Sequence, residues 1–109
     1  MSRTMLRSVL SAVVAVTVLN NPFSLLAQND GAATFKKNCA LCHGADGTGN
    51  TPTGKALQAK DLKLADVQKQ SDDALKGVIT NGHGKMPAFG AKLTPETIQS
   101  LVAYIRHLP

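Results

Sequence analysis

The stretch that decides the fold is CALCH at residues 39–43, which contains both cysteines of the 109-residue chain. Phe35, Cys39 and Cys42 follow the spacing i, i+4 and i+7, which predicts that their side chains share one face of a helix. This helix is expected to begin near the Asn-Asp pair at residues 29–30, since either residue can cap its backbone N–H groups, and to run to about Cys42. Two thiols and one imidazole are therefore expected to lie close together at its end.

A Cys-x-x-Cys-His string is typical of a c-type haem attachment site, and its spacing explains why. Thiols three residues apart can each add to one of the two vinyl groups of the porphyrin, and the next residue then faces the iron. We therefore expect one haem c, attached covalently through Cys39 and Cys42. The imidazole of His43 would be an axial ligand of its iron.

Two other uses of a cysteine pair fit the sequence less well. A dithiol redox site would follow a strand in a βαβ setting, and no segment alternates polar and apolar residues over the length of a strand. A zinc site would need further ligands. The chain has no second cysteine pair, and His83 and His107 are not at zinc-finger spacing. Haem attachment is therefore the leading interpretation.

The sixth iron ligand has three candidates after residue 27. Met86 lies in a loop that contains Gly and Pro rather than on an apolar helix face, and Pro87 stiffens the backbone that presents its sulfur. His83 lies three residues earlier, between two glycines, and is an alternative ligand. His107 lies near the end of the sequence, where it is expected to complement the helix dipole. We favour Met86 over His83 and over an open site.

Residues 1–27 have the order of features that is typical of a secretory signal peptide. Two arginines precede an apolar stretch at residues 9–19, which is too short to span a bilayer as a helix, and Ala27 provides a small residue for cleavage. The expected organisation is a signal peptide over 1–27 and a haem-binding domain over 28–109, exported to the periplasm. Export agrees with the motif, because c-type haem is attached outside the cytoplasm. An uncleaved leader would instead tether the protein to the membrane.

Beyond the motif, the sequence predicts an all-α domain of four or so helices separated by Gly-rich loops. The clearest helix follows the N-cap Thr94, with Pro95 at its first position and an apolar face at i, i+3, i+4 and i+7. Another helix follows the N-cap Ser71 and ends at the Asn-Gly pair of residues 81–82. The remaining segments are predicted as loops over residues 44–54 and 83–93, and as a weak helix over 60–70.

The composition limits the possible functions. The length allows one small domain, and aromatic residues make up only 4% of the chain, which disfavours a protein that binds single-stranded nucleic acid. The formal net charge is +5, of which two charges belong to the arginines of the leader. A mildly basic domain favours acidic protein partners over nucleic acid. The domain is also short for a self-sufficient core, so a bulky apolar group from outside the sequence would complete it.

Three stretches together resemble the small class I cytochromes c of bacteria. They are FKKNCALCHGADGTG at residues 35–49, NGHGKMPAFG at 81–90 and LTPETIQSLVAYIRHLP at 93–109. The resemblance extends over nearly all of residues 30–109.

The resemblance implies a cytochrome c fold, with helices packed around one haem and with the N- and C-terminal helices crossing. Phe35, Leu101 and Tyr104 would then lie near that crossing. One departure concerns the middle of the chain, where the family often has Pro-Asp-Leu and this sequence has Lys-Asp-Leu at residues 60–62.

The predicted ligand pair favours electron transfer over catalysis. An imidazole and a thioether can both stay on the iron in either oxidation state, so that little moves when one electron is exchanged. The acidic residues are scattered over loops and helix starts, and no acid–base pair indicates an enzyme. We expect a one-electron carrier between a donor enzyme or quinol complex and a terminal acceptor. A haem peroxidase or gas-binding protein is disfavoured by the single motif near the start of the domain, whereas a dedicated subunit of an exported redox complex remains an alternative.

Lysines lie on both segments that carry the predicted ligands, and they predict a positive docking face for an acidic redox partner. Those near Met86 are Lys85 and Lys92, and those near the motif are Lys36, Lys37 and Lys55. By contrast, Lys69 and Lys76 are predicted to lie on the far helices.

Overall fold

The described part of the chain consists of helices joined by loops. The computed structural model describes residues 14, 15 and 22–109, of which 22–29 by their backbone alone. Most of the predicted leader therefore lies outside the described residues, and its role and cleavage stay predictions. The helices are α1 (Pro22–Asn38), α2 (Ala40–His43), α3 (Pro52–Leu57), α4 (Ala65–Gln68), α5 (Asp72–Asn81) and α6 (Pro95–Ile105).

The all-α class predicted from the sequence is confirmed for the described residues. They contain no strand, and the only β-type pairing among them is one isolated antiparallel bridge between His83 and Met86. Where the structure describes the chain, its helices also lack the combination of length and hydropathy that a bilayer span requires.

Helix α1 differs from the prediction at both ends. It begins at Pro22 rather than near residues 29–30. Proline is favoured in the first helical turn, where the N–H that it lacks would have no partner within the helix. The helix ends at Asn38, because Cys39 forms a turn that separates it from α2. The Cys39 amide still donates to the carbonyl of Phe35 at 2.8 Å, so the first thiol keeps its place one turn after the phenyl ring.

Helices α5 and α6 begin at the predicted residues, and α5 also ends at the predicted Asn81. The Ser71 hydroxyl accepts a hydrogen bond from the amide of Ala74 at 3.1 Å and thereby caps α5. Similarly, the Thr94 hydroxyl accepts from the amide of Thr97 at 3.2 Å, and Pro95 occupies the first position of α6. Both starts were predicted correctly because cap chemistry is local and is written in adjacent residues.

Two predictions in the middle of the chain were wrong. The weak helix expected over residues 60–70 is reduced to the single turn of α4, because Asp61 accepts from the amide of Lys63 and holds a turn there instead. The loop expected over 44–54 already contains the start of α3. Its N-cap is Thr51, and Pro52 is its first residue, so this proline starts regular structure rather than preventing it.

The crossing of the first and last helices, predicted from the family resemblance, is confirmed. The rings of Phe35 on α1 and Tyr104 on α6 lie 5.2 Å apart at a tilt of 52°. A Cβ atom at Gly31 would collide with the carbonyl oxygen of Ser100, so the two backbones touch at this point. Phe35 and Leu101 are fully buried beside the contact.

The apolar core is formed by four helices: the crossing helices α1 and α6, together with α4 and α5. Its buried members are Phe35, Val67, Leu75, Ile79, Ile98, Leu101, Val102 and Ile105. The partly buried Cys39 and Met86 pack against this cluster from different loops. The core therefore brings the motif and the predicted distal ligand to the same part of the molecule.

Candidate cofactor site

Two adjoining cavities open beside the core, with volumes of about 350 and 670 Å³. They adjoin because seven residues line both: Cys39, His43, Lys60, Val78, His83, Met86 and Phe89. Cys42 lines the larger cavity but not the smaller one. All four predicted site residues, which lie up to 47 positions apart in the sequence, are thus brought to one continuous space.

The walls of this space are mainly apolar. The smaller cavity is lined by six members of the core, namely Phe35, Val67, Leu75, Ile79, Leu101 and Ile105. The larger cavity reaches the surface beside Leu41 and Leu57, two leucines that are unusually exposed. An apolar space with two thiols, an imidazole and a thioether on its walls fits the needs of a haem, which is a flat apolar ring around a metal that binds nitrogen and sulfur.

The two thiols are not poised for dithiol chemistry. They are not joined in a disulfide, and burial, together with the smaller effect of the Cys42 charge, raises the pKa of the Cys39 thiol to about 11. A redox-active dithiol needs a thiolate at neutral pH, so this environment favours the opposite state. The described residues also contain no group of three or more His, Cys, Asp or Glu side chains that could hold a metal ion.

The ring of His43 is held in a defined orientation. Its Nδ1 lies 2.9 Å from the backbone carbonyl oxygen of Lys60. Because a carbonyl oxygen can only accept, Nδ1 must carry the proton, and Nε2 keeps its lone pair for a metal. A histidine ligand is usually oriented in this way by the group that holds its other nitrogen.

Thr51 and Gly54 contact the backbone carbonyl groups of the motif and hold it in place. The sequence analysis did not single out either residue. The Thr51 hydroxyl lies 2.8 Å from the carbonyl oxygen of Leu41 and 3.1 Å from that of Cys42. The Thr51 hydroxyl oxygen also accepts a hydrogen bond from the amide of Gly54 at 2.8 Å. A Cβ atom at Gly54 would collide with the Cys42 carbonyl oxygen. The Thr-Pro pair at residues 51–52 was the signal that could have located this support.

Met86 is presented by a tight turn. The amide of Met86 donates to the carbonyl of His83 at 2.9 Å, and the amide of His83 donates back to that of Met86 at 3.1 Å. Just beyond, the amides of Phe89 and Gly90 donate to carbonyls at the end of α5, at 2.9 and 3.0 Å. The loop that carries the thioether is therefore closed by its own turn before Pro87 and is joined to α5 after it.

The two other histidines differ in position. His83 lines both cavities, as Met86 does, although its side chain is exposed. His107 lies beyond the end of α6, is exposed and lines neither cavity. The structure therefore keeps His83 as a neighbour of the site and places His107 away from it.

A family model described as cytochrome c oxidase, cbb3-type, subunit III matches residues 27–105. The chain belongs to the c-type cytochromes. Curated relatives of this cytochrome include cytochrome c6 of Picosynechococcus sp., which is 35% identical over 88% of this chain and 86% of its own length. Cytochrome c6 of Aphanizomenon flos-aquae is 42% identical over 69% of this chain and 83% of its own length. The cbb3-type cytochrome c oxidase subunit FixP of Azorhizobium caulinodans is 39% identical over 75% of this chain, which spans only 27% of FixP.

Solved structures agree with these relatives. The c-type cytochrome KustC0563 superposes with a TM-score of 0.65 at 37% identity, over 71% of this chain and 94% of its own. Cytochrome c6C from Synechococcus sp. PCC 7002 gives a TM-score of 0.56 at 34% identity, over 71% and 90%. The cytochrome c fold and haem c as the cofactor, both predicted from the sequence, are confirmed. The protein is a monohaem electron carrier and not an enzyme, and its partners are redox proteins.

Proposed function

We propose that this cytochrome is an exported one-electron carrier in which Cys39 and Cys42 hold the haem while His43 and Met86 bind its iron. The observation that carries the proposal is the single apolar space on which these four side chains converge. When bound, the haem supplies a one-electron couple between ferric and ferrous iron.

The protein contributes rigidity on both sides of the iron. His43 is held by the Lys60 carbonyl, and Met86 is held by the paired turn with His83. Two ligands that stay in place in both oxidation states keep the reorganisation on electron transfer small. The thioether also favours ferrous iron, which raises the reduction potential relative to a second imidazole.

The larger cavity supplies the place for docking. Leu41 is 72% exposed at its edge, and Lys85 lines it next to Met86. An apolar edge beside a lysine suits a redox partner that presents an acidic rim around its own apolar contact. We assign the donor to a donor enzyme or quinol complex and the acceptor to a terminal electron acceptor, with the exchange taking place in the periplasm. The leader-like residues 1–27 support this location, as a cleaved signal or as a membrane tether.

A second candidate function is that of a dedicated subunit in an exported redox complex. The matching family model, described as a subunit of a cbb3-type oxidase, favours this alternative, as does the similarity to FixP. Purification of the tagged protein from its own membranes separates the two functions. A free carrier elutes as a monomer. A subunit instead co-purifies with the other haem-containing proteins of its complex at fixed stoichiometry.

The covalent attachment is tested by mass and by extraction. The holoprotein should exceed its polypeptide mass by one haem, and acid acetone should leave the haem on the protein. Replacing Cys39 or Cys42 with Ala should lower the yield of holoprotein sharply, whereas the matched change of Ala40 to Ser should not. Haem that passes freely into organic solvent would exclude the proposed attachment.

The distal ligand is tested by spectroscopy. A thioether on ferric iron gives a weak charge-transfer band in the far red, which Met86→Ala should abolish while lowering the reduction potential. Lys85→Ala, one position earlier in the same turn, is the control and should keep the band. If His83→Ala removes the low-spin spectrum while Met86→Ala leaves it intact, then His83 is the ligand and the assignment fails.

A further inference from the structure

We propose that His83 is a reserve iron ligand, which occupies the distal position when the thioether of Met86 is absent from it. The inference rests on the proposed ligation by Met86 and adds a second donor to the same side of the site. Three features of the structure carry it: the pairing of the two residues, the cavities that they share, and the lack of hydrogen-bond partners for the His83 ring among the described residues.

The backbone pairing places the two side chains on the same side of the turn. His83 and Met86 form an antiparallel bridge in which each amide donates to the other's carbonyl, at 3.1 and 2.9 Å. Directly opposed residues of an antiparallel pair project their side chains to the same face, with Cβ atoms about 5 Å apart. The imidazole therefore lies beside the thioether, and both extend from a turn only four residues long.

The cavity lining shows that this common face is the one that meets the site. His43, His83 and Met86 each line both cavities. The imidazole of His83 therefore borders the same space as the proposed proximal ligand, from the same turn as the proposed distal one. A donor in this position reaches the iron by a local adjustment of the turn rather than by unfolding of a helix.

The ring of His83 is not committed elsewhere in the described part of the chain. The His43 ring is held by the Lys60 carbonyl, whereas the exposed ring of His83 makes no hydrogen bond to a described residue. The next residue, Gly84, has a φ of 55°, and a Cβ atom placed on it would meet nothing within 4 Å. The outer side of the turn therefore has room for the shift that a change of ligand requires.

Lys85 is the competing donor in this turn. It lines the larger cavity but not the smaller one, whereas His83 lines both. In either tautomer, a neutral imidazole has a lone pair on the ring nitrogen that carries no proton. Imidazole is also a common ligand of haem iron. The structure therefore favours His83 over Lys85.

The experiment compares the ferric spectra and electron paramagnetic resonance of four holoproteins at pH 8. These are the native protein, Met86→Ala, and the double variants that add His83→Ala or His107→Ala to it. We expect Met86→Ala to lose the far-red band yet stay low-spin. The variant with His83→Ala should become high-spin, and the variant with His107→Ala should match the single variant. Adding Lys85→Ala to Met86→Ala should likewise leave the low-spin signal.

The outcomes separate this inference from the function on which it rests. A native protein without the far-red band would remove Met86 as the ligand and hence the proposed function's distal assignment. A native band together with a high-spin Met86→Ala variant would overturn the reserve role of His83 alone. A low-spin signal that survives removal of His83 would overturn it as well. Met86→Leu, which keeps the side-chain volume, repeats the series should the alanine variants fail to assemble.

Discussion

At the scale of single residues, Gly54 shows how closely α3 approaches the backbone of the motif. Its missing side chain lets α3 lie directly against the carbonyl group of Cys42, and Thr51 joins the same two segments by hydrogen bonds. Gly77 provides a contrast, because it lies inside α5 with open space around the position of a Cβ atom. The same residue type therefore has opposite consequences at the two positions.

Gly54→Ala should destabilise the holoprotein by about 1–3 kcal/mol, because the added methyl group forces the backbones of α3 and the motif apart. Gly77→Ala is the matched control. It should raise the free energy of unfolding by about 0.5–1 kcal/mol, since alanine is the better helix former. Denaturant unfolding, followed by far-UV circular dichroism, measures both. Equal effects at the two sites would contradict the close approach at Gly54.

At the scale of elements, the sequence allowed some helices to be predicted and hid others. The Thr-Pro pair that starts α6 is followed by a long apolar face, and the prediction was correct. The same pair starts α3, but three glycines in the preceding loop and a helix of only 6 residues gave no periodic pattern to read. The support of His43 by the Lys60 carbonyl spans 17 positions and involves no side chain of Lys60, so no local pattern could reveal it.

The end of α6 is joined to the corner between α4 and α5 by Arg106. Its guanidinium donates to the carbonyls of Gln68 and Gln70, each at 2.5 Å, and to the Asp72 carboxylate at 2.9 Å. This corner carries wall residues of the smaller cavity. One planar side chain therefore holds three segments of the cavity wall together.

Arg106→Lys should lower the free energy of unfolding by about 1–3 kcal/mol, because an ammonium group cannot make the same forked set of bonds. Asp72→Asn is the comparison. It should cost less than about 1 kcal/mol, since its carboxylate is largely exposed and surface ion pairs contribute little. Chemical denaturation of both holoproteins provides the test. A larger loss in the aspartate variant would show that the ion pair, and not the carbonyl bonds, holds the corner.

At the scale of the whole molecule, the smaller cavity lies against the apolar core. Six of the eight buried apolar residues of the core line the smaller cavity, so a haem bound there would extend the core with its largest apolar surface. The haem-free chain, produced without residues 1–27 in the cytoplasm, should therefore lack a cooperative thermal transition. A sharp, fully helical melt of that chain, followed by circular dichroism, would contradict this expectation.

The distribution of lysines predicts how the molecule meets charged partners. The rate of oxidation by ferricyanide, a small anion, should fall as ionic strength rises, because salt screens charges beyond about 8 Å at physiological concentration. Reversing Lys85 and Lys92 to Glu should slow the reaction more than reversing Lys69 and Lys76, which carries the same change in net charge. Stopped-flow measurements at several salt concentrations compare the pairs. A rate that does not change with salt, or equal effects of both pairs, would show that Lys85 and Lys92 do not steer the anion to the site.

The contact between His43 and position 60 has a consequence for how this site tolerates substitution. The group that orients the ring is a main-chain oxygen, which every amino acid provides. The lysine side chain itself points to solvent, where it lies 3.7 Å from Asp66. Proline and lysine at this position would therefore offer the histidine the same acceptor. Alanine scanning would pass over position 60 without a signal, although the atom that aligns the proximal ligand is located there.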